Sequence, residues 1–132
     1  MNVQHEHVLF KQGQYYAGKH LLLDIIGSSL IEDIDLVEKS LEDSARAAGA
    51  TVLHSSFHRF PKNSGFSGVC VLAESHISIH TWPEFRYAAI DIFMCGAADP
   101  YVAVKYLKRV FDPDEVKVTE CARGLGCIGE VA

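Results

Sequence analysis

Hydrophobic positions follow a helical period in two regions of the chain. Between residues 31 and 48, apolar residues recur every three to four positions with charged residues between them, which predicts an amphipathic helix ending at Gly49. A second helix is predicted to begin at Asp99-Pro100, because an acidic cap followed by proline is typical of a first turn, and to stop at Asp112-Pro113. Residues 1–17 are polar and follow no period, so we expect a loose arm there.

The remaining apolar segments are short, and turn residues separate them. They predict strands at 18–26, 51–60, 67–73, 77–80, 87–95 and 115–119, with a turn at 61–65 and with Pro83 parting two of the segments. In outline, the predicted order is β-α-β-β-β-α-β. This order favours an α+β fold, a two-layer sandwich in which two helices cover one face of a mainly antiparallel sheet.

Alternation within the strands predicts two different faces of that sheet. One face would carry His76, Ser78, His80 and Trp82 from one segment, and Tyr87, Ala89, Asp91, Phe93 and Cys95 from the next. The opposite face is rich in isoleucine and is expected to lie against the helices. Because two helices cannot cover both faces of one sheet, we expect a second subunit to close the polar face, giving a sheet-on-sheet dimer.

Length and charge limit the classes of protein that fit these elements. A chain of 132 residues can bury one hydrophobic core, so we expect one domain over residues 1–132. The net charge of −5 argues against nucleic-acid binding and suits a cationic small molecule. No apolar run approaches the roughly 20 residues that span a bilayer, and the first residues show no secretory signal pattern. The four cysteines are then expected to be free thiols in a cytoplasmic protein.

The candidate chemistry begins where a hydroxyl follows an acidic residue. Ser75 comes directly after Glu74 at the end of an apolar run, and two histidines and a tryptophan-proline-glutamate run follow. The Ser75 hydroxyl can attack the preceding carbonyl carbon and move the acyl group from nitrogen to oxygen. Elimination of the ester and hydrolysis then leave a pyruvoyl group, an electron sink that forms a Schiff base with a substrate amine. Self-cleavage of this kind predicts two chains, 1–74 and 75–132.

The sequence resembles the short S-adenosylmethionine decarboxylases of bacteria and archaea, roughly from Gly18 to Gly124. The stretches that carry the resemblance are 18–22, 56–60, 67–69, 74–84, 87–93 and the pair Cys95-Gly96. By this resemblance, the peptide bond between Glu74 and Ser75 is the cleavage site and Ser75 becomes the pyruvoyl group. Cys95 would return a proton after decarboxylation.

The same resemblance implies roles for five further side chains. Ser67 and His80 would assist self-cleavage of the zymogen. Glu84 would hold the ribose hydroxyl groups through its two acceptor oxygens, and Phe60 and Trp82 would flank the adenine or face the sulfonium. The implied enzyme is a carboxy-lyase, a homodimer of paired chains, that converts S-adenosylmethionine to the aminopropyl donor for spermidine synthesis.

Departures from the family pattern leave the substrate open. Phe85-Arg86 stands where an aromatic residue followed by glycine is usual, Met94 stands where threonine is common, and the 61–66 turn is one residue longer. Arg86 is expected to add a cation next to the substrate pocket. An alternative hypothesis is therefore the same chemistry on ornithine or arginine.

Other interpretations compete with an enzyme. An uncleaved partner subunit or a metal-binding protein is one alternative, but histidines four apart on a strand, such as His76 and His80, lie roughly 13 Å apart. That distance is too long for shared zinc ligands, so no metal is expected. Taken alone, Ser75 and Cys95 are also ordinary strand-end and core residues, and Trp82 is equally suited to packing.

Overall fold

Two helices lie on one face of a six-stranded antiparallel sheet. The computed structural model describes residues 8–62 and 65–128. In chain order the elements are β1 Leu9–Lys11, β2 Gln14–Tyr16, β3 Gly18–Ile26, α1 Ile34–Ala47, β4 Val52–Arg59, β5 Phe66–Leu72, β6 Ser75–Trp82, β7 Tyr87–Met94, α2 Pro100–Phe111 and β8 Glu115–Arg123. The large sheet has the strand order β4-β5-β6-β7-β3-β8, and all neighbouring strands are antiparallel. The predicted α+β two-layer sandwich is confirmed.

The hydrophobic core lies between the helices and the isoleucine-rich face of the sheet. Its fully buried members include Val37, Leu41 and Ala45 of α1, Leu107 and Phe111 of α2, and Leu21, Ile25, Ile77, Ile79, Ile90 and Ile92 of the strands. The predicted alternation is confirmed, because burial alternates residue by residue along β6 and β7. The other side of the sheet, which we call the open face, carries the polar and aromatic side chains.

Capping explains where the helices begin and end. The helix predicted from residue 31 begins at Ile34, because extended Asp33 caps it by accepting a hydrogen bond from the Leu36 N–H at 3.1 Å. Ile31 lies in a preceding 3-10 turn, where it is still fully buried. Asp99 caps α2 in the same way, as predicted from the sequence. The first helix ends before Gly49, whose φ of +93° suits glycine.

Four strands lie between the two helices, whereas the predicted order β-α-β-β-β-α-β has three there. The segments on either side of Pro83 form separate paired strands, β6 and β7, joined by a 3-10 turn. The last strand also runs four residues beyond its predicted end, to Arg123, because all of it pairs with β3. Residues 63 and 64 of the predicted 61–65 turn lie outside the described residues.

The prediction of a loose arm is wrong for the described part of residues 1–17. Strands β1 and β2 form a short hairpin, and Tyr15 forms a bridge with Ile128. The Ala17 N–H donates to the Arg123 carbonyl oxygen at 2.7 Å. These partners lie more than 100 residues away along the chain, so the local pattern of apolar and polar residues could not predict the contacts with Ile128 and Arg123. Residues 1–7 lie outside the described part.

The described helices are short compared with a bilayer. Helices α1 and α2 contain 14 and 12 residues, and neither is long and apolar enough to cross a membrane.

Candidate active site

The Glu74–Ser75 peptide bond lies in a strained two-residue turn. Strands β5 and β6 form a tight hairpin in which Leu72 pairs with Ser75, so Ala73 and Glu74 alone make the turn. Glu74 has a φ of +66°, a left-handed conformation that costs a non-glycine residue about 1–2 kcal/mol. The strain therefore sits on the residue whose carbonyl group self-cleavage would attack.

Cys95, just after β7, contacts both groups that would react, the Ser75 hydroxyl and the Glu74 carbonyl. Its backbone N–H donates to Ser75 Oγ at 3.2 Å, and its thiol Sγ donates to the Glu74 carbonyl oxygen at 2.9 Å. The thiol hydrogen bond polarises the carbonyl group, and the N–H holds the hydroxyl oxygen next to it. The chain thus brings Glu74, Ser75 and Cys95 together, and we call this end of the sheet the serine end.

The environment of Cys95 keeps its thiol protonated. Burial raises the pKa of the Cys95 thiol above its ordinary value, the Ser75 contact opposes the rise, and the nearby Glu74 carboxylate adds to it. Gly18 makes room for this arrangement, because a Cβ there would lie 2.6 Å from the Met94 carbonyl oxygen and 3.3 Å from Cys95 Sγ. The neutral thiol is a proton donor, not a nucleophile.

Two pockets approach the Glu74–Ser75 bond from different sides. The larger, about 530 Å³, is lined by Glu74, Ser75, His20, His76, Phe93 and Arg123 among others. The smaller, about 300 Å³, is lined by Glu74, Ser75, Cys95 and the small residues of the 49–51 and 96–98 segments. The Glu74–Ser75 bond is therefore accessible from two sides.

His20, which received no role from the sequence, lines the larger pocket. Arg123 Nη1 lies 3.0 Å from His20 Nδ1, and because guanidinium can only donate, Nδ1 accepts and Nε2 carries the proton. That buried Nε2 has no hydrogen-bond partner within the described residues, and Asp91 Oδ1 lies 3.6 Å away. Burial lowers the pKa of His20, an effect that outweighs the opposing charge of Asp91. Strand alternation alone could have signalled this residue, since His20 pairs with Phe93 on the open face.

Ser67 and His80 lie together, but at the other end of β6. They face each other in the β5–β6 register and line a pocket of about 340 Å³ with Ser56, His58 and Ser78. His80 follows Ser75 by five residues on one strand, about 16 Å at 3.3 Å per residue. Neither side chain can therefore touch the Glu74–Ser75 bond of its own chain.

The predicted substrate-binding residues share that distant end, which we call the histidine end. Glu84 lies in the exposed 3-10 turn Pro83–Phe85 that follows β6. Trp82 is 39% exposed and its ring lies 5.4 Å from Tyr87, while Phe60 is 42% exposed and its ring lies 5.1 Å from His58. Their roles stay predictions, since these three side chains do not lie near Ser75 of the same chain.

Arg86 follows the turn that carries Glu84, and its guanidinium is directed at the end of β3 rather than at the serine end. Nη2 donates to the Gly27 carbonyl oxygen at 2.9 Å, and Nη1 lies 3.9 Å from Asp114. The Arg86 carbonyl oxygen accepts from the Gly27 and Ser28 N–H groups at 2.9 and 3.0 Å. With a φ of +52°, Arg86 occupies a conformation that favours glycine and fastens the turn to the end of β3.

Histidines lie near both ends of β6, where they could in principle bind a metal ion. Within residues 8–62 and 65–128, no three His, Cys, Asp or Glu side chains are close enough to hold one ion.

An α+β two-layer sandwich that holds a serine hydroxyl and a protonated thiol beside a strained peptide bond has the features of an enzyme active site. A family model described as S-adenosylmethionine decarboxylase matches residues 19–124. The chain belongs to the S-adenosylmethionine decarboxylase family. Strands β1 and β2 lie outside the matched region.

Individual relatives agree with the family model. A protein from Thermosipho melanesiensis named S-adenosylmethionine decarboxylase proenzyme is 43% identical over 110 residues, which cover 81% of this chain and 84% of that protein. A protein of the same name from Methanococcus maripaludis is 40% identical over 117 residues, covering 86% and 95%. The crystal structure of the adenosylmethionine decarboxylase from Aquifex aeolicus matches with a TM-score of 0.75 at 32% identity, covering 87% of this chain and 95% of that one.

Proposed function

We propose that this chain is a self-processing decarboxylase that derives a pyruvoyl group from Ser75 and acts on S-adenosylmethionine. The observation that carries the proposal is the contact of Cys95 with the Ser75 hydroxyl and the Glu74 carbonyl oxygen. The names of the related proteins support the reaction class and a proenzyme. They support S-adenosylmethionine over ornithine or arginine as the substrate.

Self-cleavage would begin at the strained turn. Ser75 Oγ adds to the Glu74 carbonyl carbon and the Ser75 nitrogen leaves, which turns the peptide bond into an ester. The Cys95 thiol donates to the carbonyl oxygen as negative charge develops there, and the left-handed strain at Glu74 is released. A base then removes the Ser75 α-proton, the Cβ–Oγ bond breaks, and Glu74 departs as a carboxylate. Water hydrolyses the remaining dehydroalanine to the pyruvoyl carbonyl and ammonia.

Once formed, the pyruvoyl group supplies an electron sink for the decarboxylation of an amine-bearing substrate. The contribution of Cys95 is a proton held next to residue 75. Because burial raises the pKa of this thiol, it stays protonated at neutral pH and can deliver that proton to the product carbon. The 530 Å³ pocket beside Ser75 gives the substrate an approach from the open face.

A second copy of the chain would complete the site. Ser67 and His80 stand about 16 Å from Ser75 of their own chain. A two-fold axis that lies along the open face and runs across the strands would bring the histidine end of each copy over the serine end of the other, since residue i then contacts residue j and j contacts i. Large apolar side chains exposed on this face, Leu22, Val71 and Trp82, would be buried by that contact.

In this arrangement the histidine end of the partner would bind the adenosine portion of the substrate. Glu84 offers two acceptor oxygens to the ribose hydroxyl groups. The exposed rings of Phe60 and Trp82 suit stacking on a base and attraction of a sulfonium cation. A basic amino acid has neither a ribose for Glu84 nor an adenine for the rings, so the substrate assignment depends on these groups.

The test is an intact-mass measurement under denaturing conditions, followed by an assay of CO₂ release. We expect two chains divided between Glu74 and Ser75, with a pyruvoyl mass at the start of the second chain. The cleaved protein should release CO₂ from S-adenosylmethionine, and faster than from ornithine or arginine. A single full-length species that persists on long incubation would contradict the proposal, and a preference for a basic amino acid would contradict the substrate.

A further inference from the structure

Self-cleavage would leave the two oxygen atoms that Cys95 contacts, the Glu74 carbonyl oxygen and Ser75 Oγ, on the same carbon. The Glu74 carbonyl oxygen stays on its carbon throughout. Ser75 Oγ becomes the ester oxygen, and when the Cβ–Oγ bond breaks it remains on the Glu74 carbon. Both atoms therefore end as the two oxygens of the new carboxylate at the end of chain 1–74.

Cys95 already holds both of these oxygens before cleavage. Its N–H lies 3.2 Å from one and its thiol 2.9 Å from the other. Two donors from one residue, directed at two oxygens on one carbon, match the geometry of a carboxylate. We propose that the N–H and S–H of Cys95 bind the newly formed terminal carboxylate of Glu74, and that this carboxylate is a positioning group of the mature enzyme. The inference rests on the proposed function, because it requires the Glu74–Ser75 bond to break.

The surroundings leave the chain end room to stay there. The 300 Å³ pocket is lined by Glu74, Ser75 and Cys95, whereas Cys95 does not line the 530 Å³ pocket on the open face. The carboxylate can remain on the Cys95 side while a substrate enters from the other. A negative charge next to the thiol disfavours its thiolate, and so the chain end preserves the proton that Cys95 is to deliver.

The experiment compares the reactivity of Cys95 with and without the carboxylate. The cleaved enzyme is treated with borohydride, which reduces the pyruvoyl ketone to an uncharged alcohol. The uncleaved reference is the Ser75→Ala variant, which also lacks the serine hydroxyl. Both are alkylated with iodoacetamide from pH 7 to 11, and the Cys95 peptide is quantified by mass spectrometry so that Cys70, Cys121 and Cys127 do not interfere.

We expect the apparent pKa of Cys95 to be about one unit higher in the cleaved protein, so that alkylation below that pKa is about tenfold slower. The pair is repeated with Glu74→Gln, which removes the side-chain carboxylate from both forms and should keep the tenfold difference. An equal or faster rate in the cleaved protein, or loss of the difference with Glu74→Gln, would overturn the inference and leave the decarboxylase intact. Absence of cleavage would overturn both.

Discussion

The two ends of strand β6 are built in different ways. At the serine end, Ser75, Glu74 and Cys95 contact one another within one chain, and the turn between them is strained. At the histidine end, His80, Trp82 and Glu84 are exposed to solvent. The first end is built from contacts within the chain, while the second presents its side chains to solvent. The residues that the resemblance names are thus divided over about 16 Å.

The largest effect is expected from removing the nucleophile of the serine end. Ser75→Ala should abolish cleavage, because Ser75 supplies the hydroxyl that attacks the Glu74 carbonyl carbon in the proposed reaction. Intact mass should show only the full-length chain. Ser29→Ala is the matched control, since Ser29 is exposed and makes no side-chain capping bond. Cleavage of the Ser75→Ala variant at the same bond would remove Ser75 from the reaction.

Mixing two defective chains tests whether the ends meet across a dimer. His80→Ala alone should stall processing, and co-expression with Ser75→Ala should restore cleavage of the His80→Ala chain, because the Ser75→Ala chain supplies an intact His80. A mass tag on one chain identifies which chain is cut. As a control, the double variant carrying both substitutions should not restore it. Cleavage that stays stalled in the mixture would mean that His80 does not act across an interface.

Removing the thiol separates the two roles given to Cys95. Cys95→Ala should still cleave, about tenfold more slowly, because one weak donor to the developing oxyanion is lost. Turnover should fall about 100-fold or more, as is typical for a lost general acid. Cys121→Ala, a free thiol on β8, is the control. Cleavage and product formation at wild-type rates would exclude Cys95 from both steps.

The pH dependence of stability tests the neutral state of His20. Its pKa is lowered in the folded protein, chiefly by burial, so the unfolded chain binds a proton more readily. Stability should therefore be complete above about pH 6.5 and fall as the pH drops from there toward the lowered pKa. Thermal unfolding at pH 5 to 8, compared with His20→Gln, measures this contribution. A variant with the same pH profile as the wild type would show that His20 carries no such effect.

The smallest effect is expected at Arg86. Arg86→Gly loses the guanidinium contact with Gly27 but removes left-handed strain, so the change in unfolding free energy should stay within about 1 kcal/mol. The KM for the substrate should not change, since the guanidinium is held by the Gly27 carbonyl oxygen and Asp114 rather than by the Glu84 turn. A tenfold change in KM would show that Arg86 contributes to substrate binding.

Local patterns predicted most of the fold. Alternation in β6 and β7 identified both faces, and the acid-proline pair at Asp99 identified the start of α2, because these features depend on neighbouring residues. The β1–β2 hairpin was missed because its strands have three residues each, too few to show an alternation of apolar and polar positions.

The site was predictable in its residues but not in its distances. Resemblance named Ser75, His80 and Cys95, yet only the strand register shows that Cys95 touches Ser75 while His80 cannot. The His20–Arg123 contact joins residues 103 positions apart and lies beyond the strand end that hydrophobicity predicted. Such long-range contacts depend on the order of the strands in the sheet, which the local pattern of apolar residues does not predict.

The strand order also decides what becomes of the protein if its backbone is cut after Glu74. Strands β3, β4 and β5 would then belong to one fragment and β6, β7 and β8 to the other, yet β3 lies between β7 and β8. The strands of the two fragments alternate in the sheet, and separating the fragments would break three strand interfaces: β5–β6, β7–β3 and β3–β8. A cleaved molecule therefore keeps its shape without a covalent link, while its unfolding becomes bimolecular. Its melting temperature should rise with protein concentration more steeply than that of the uncut chain.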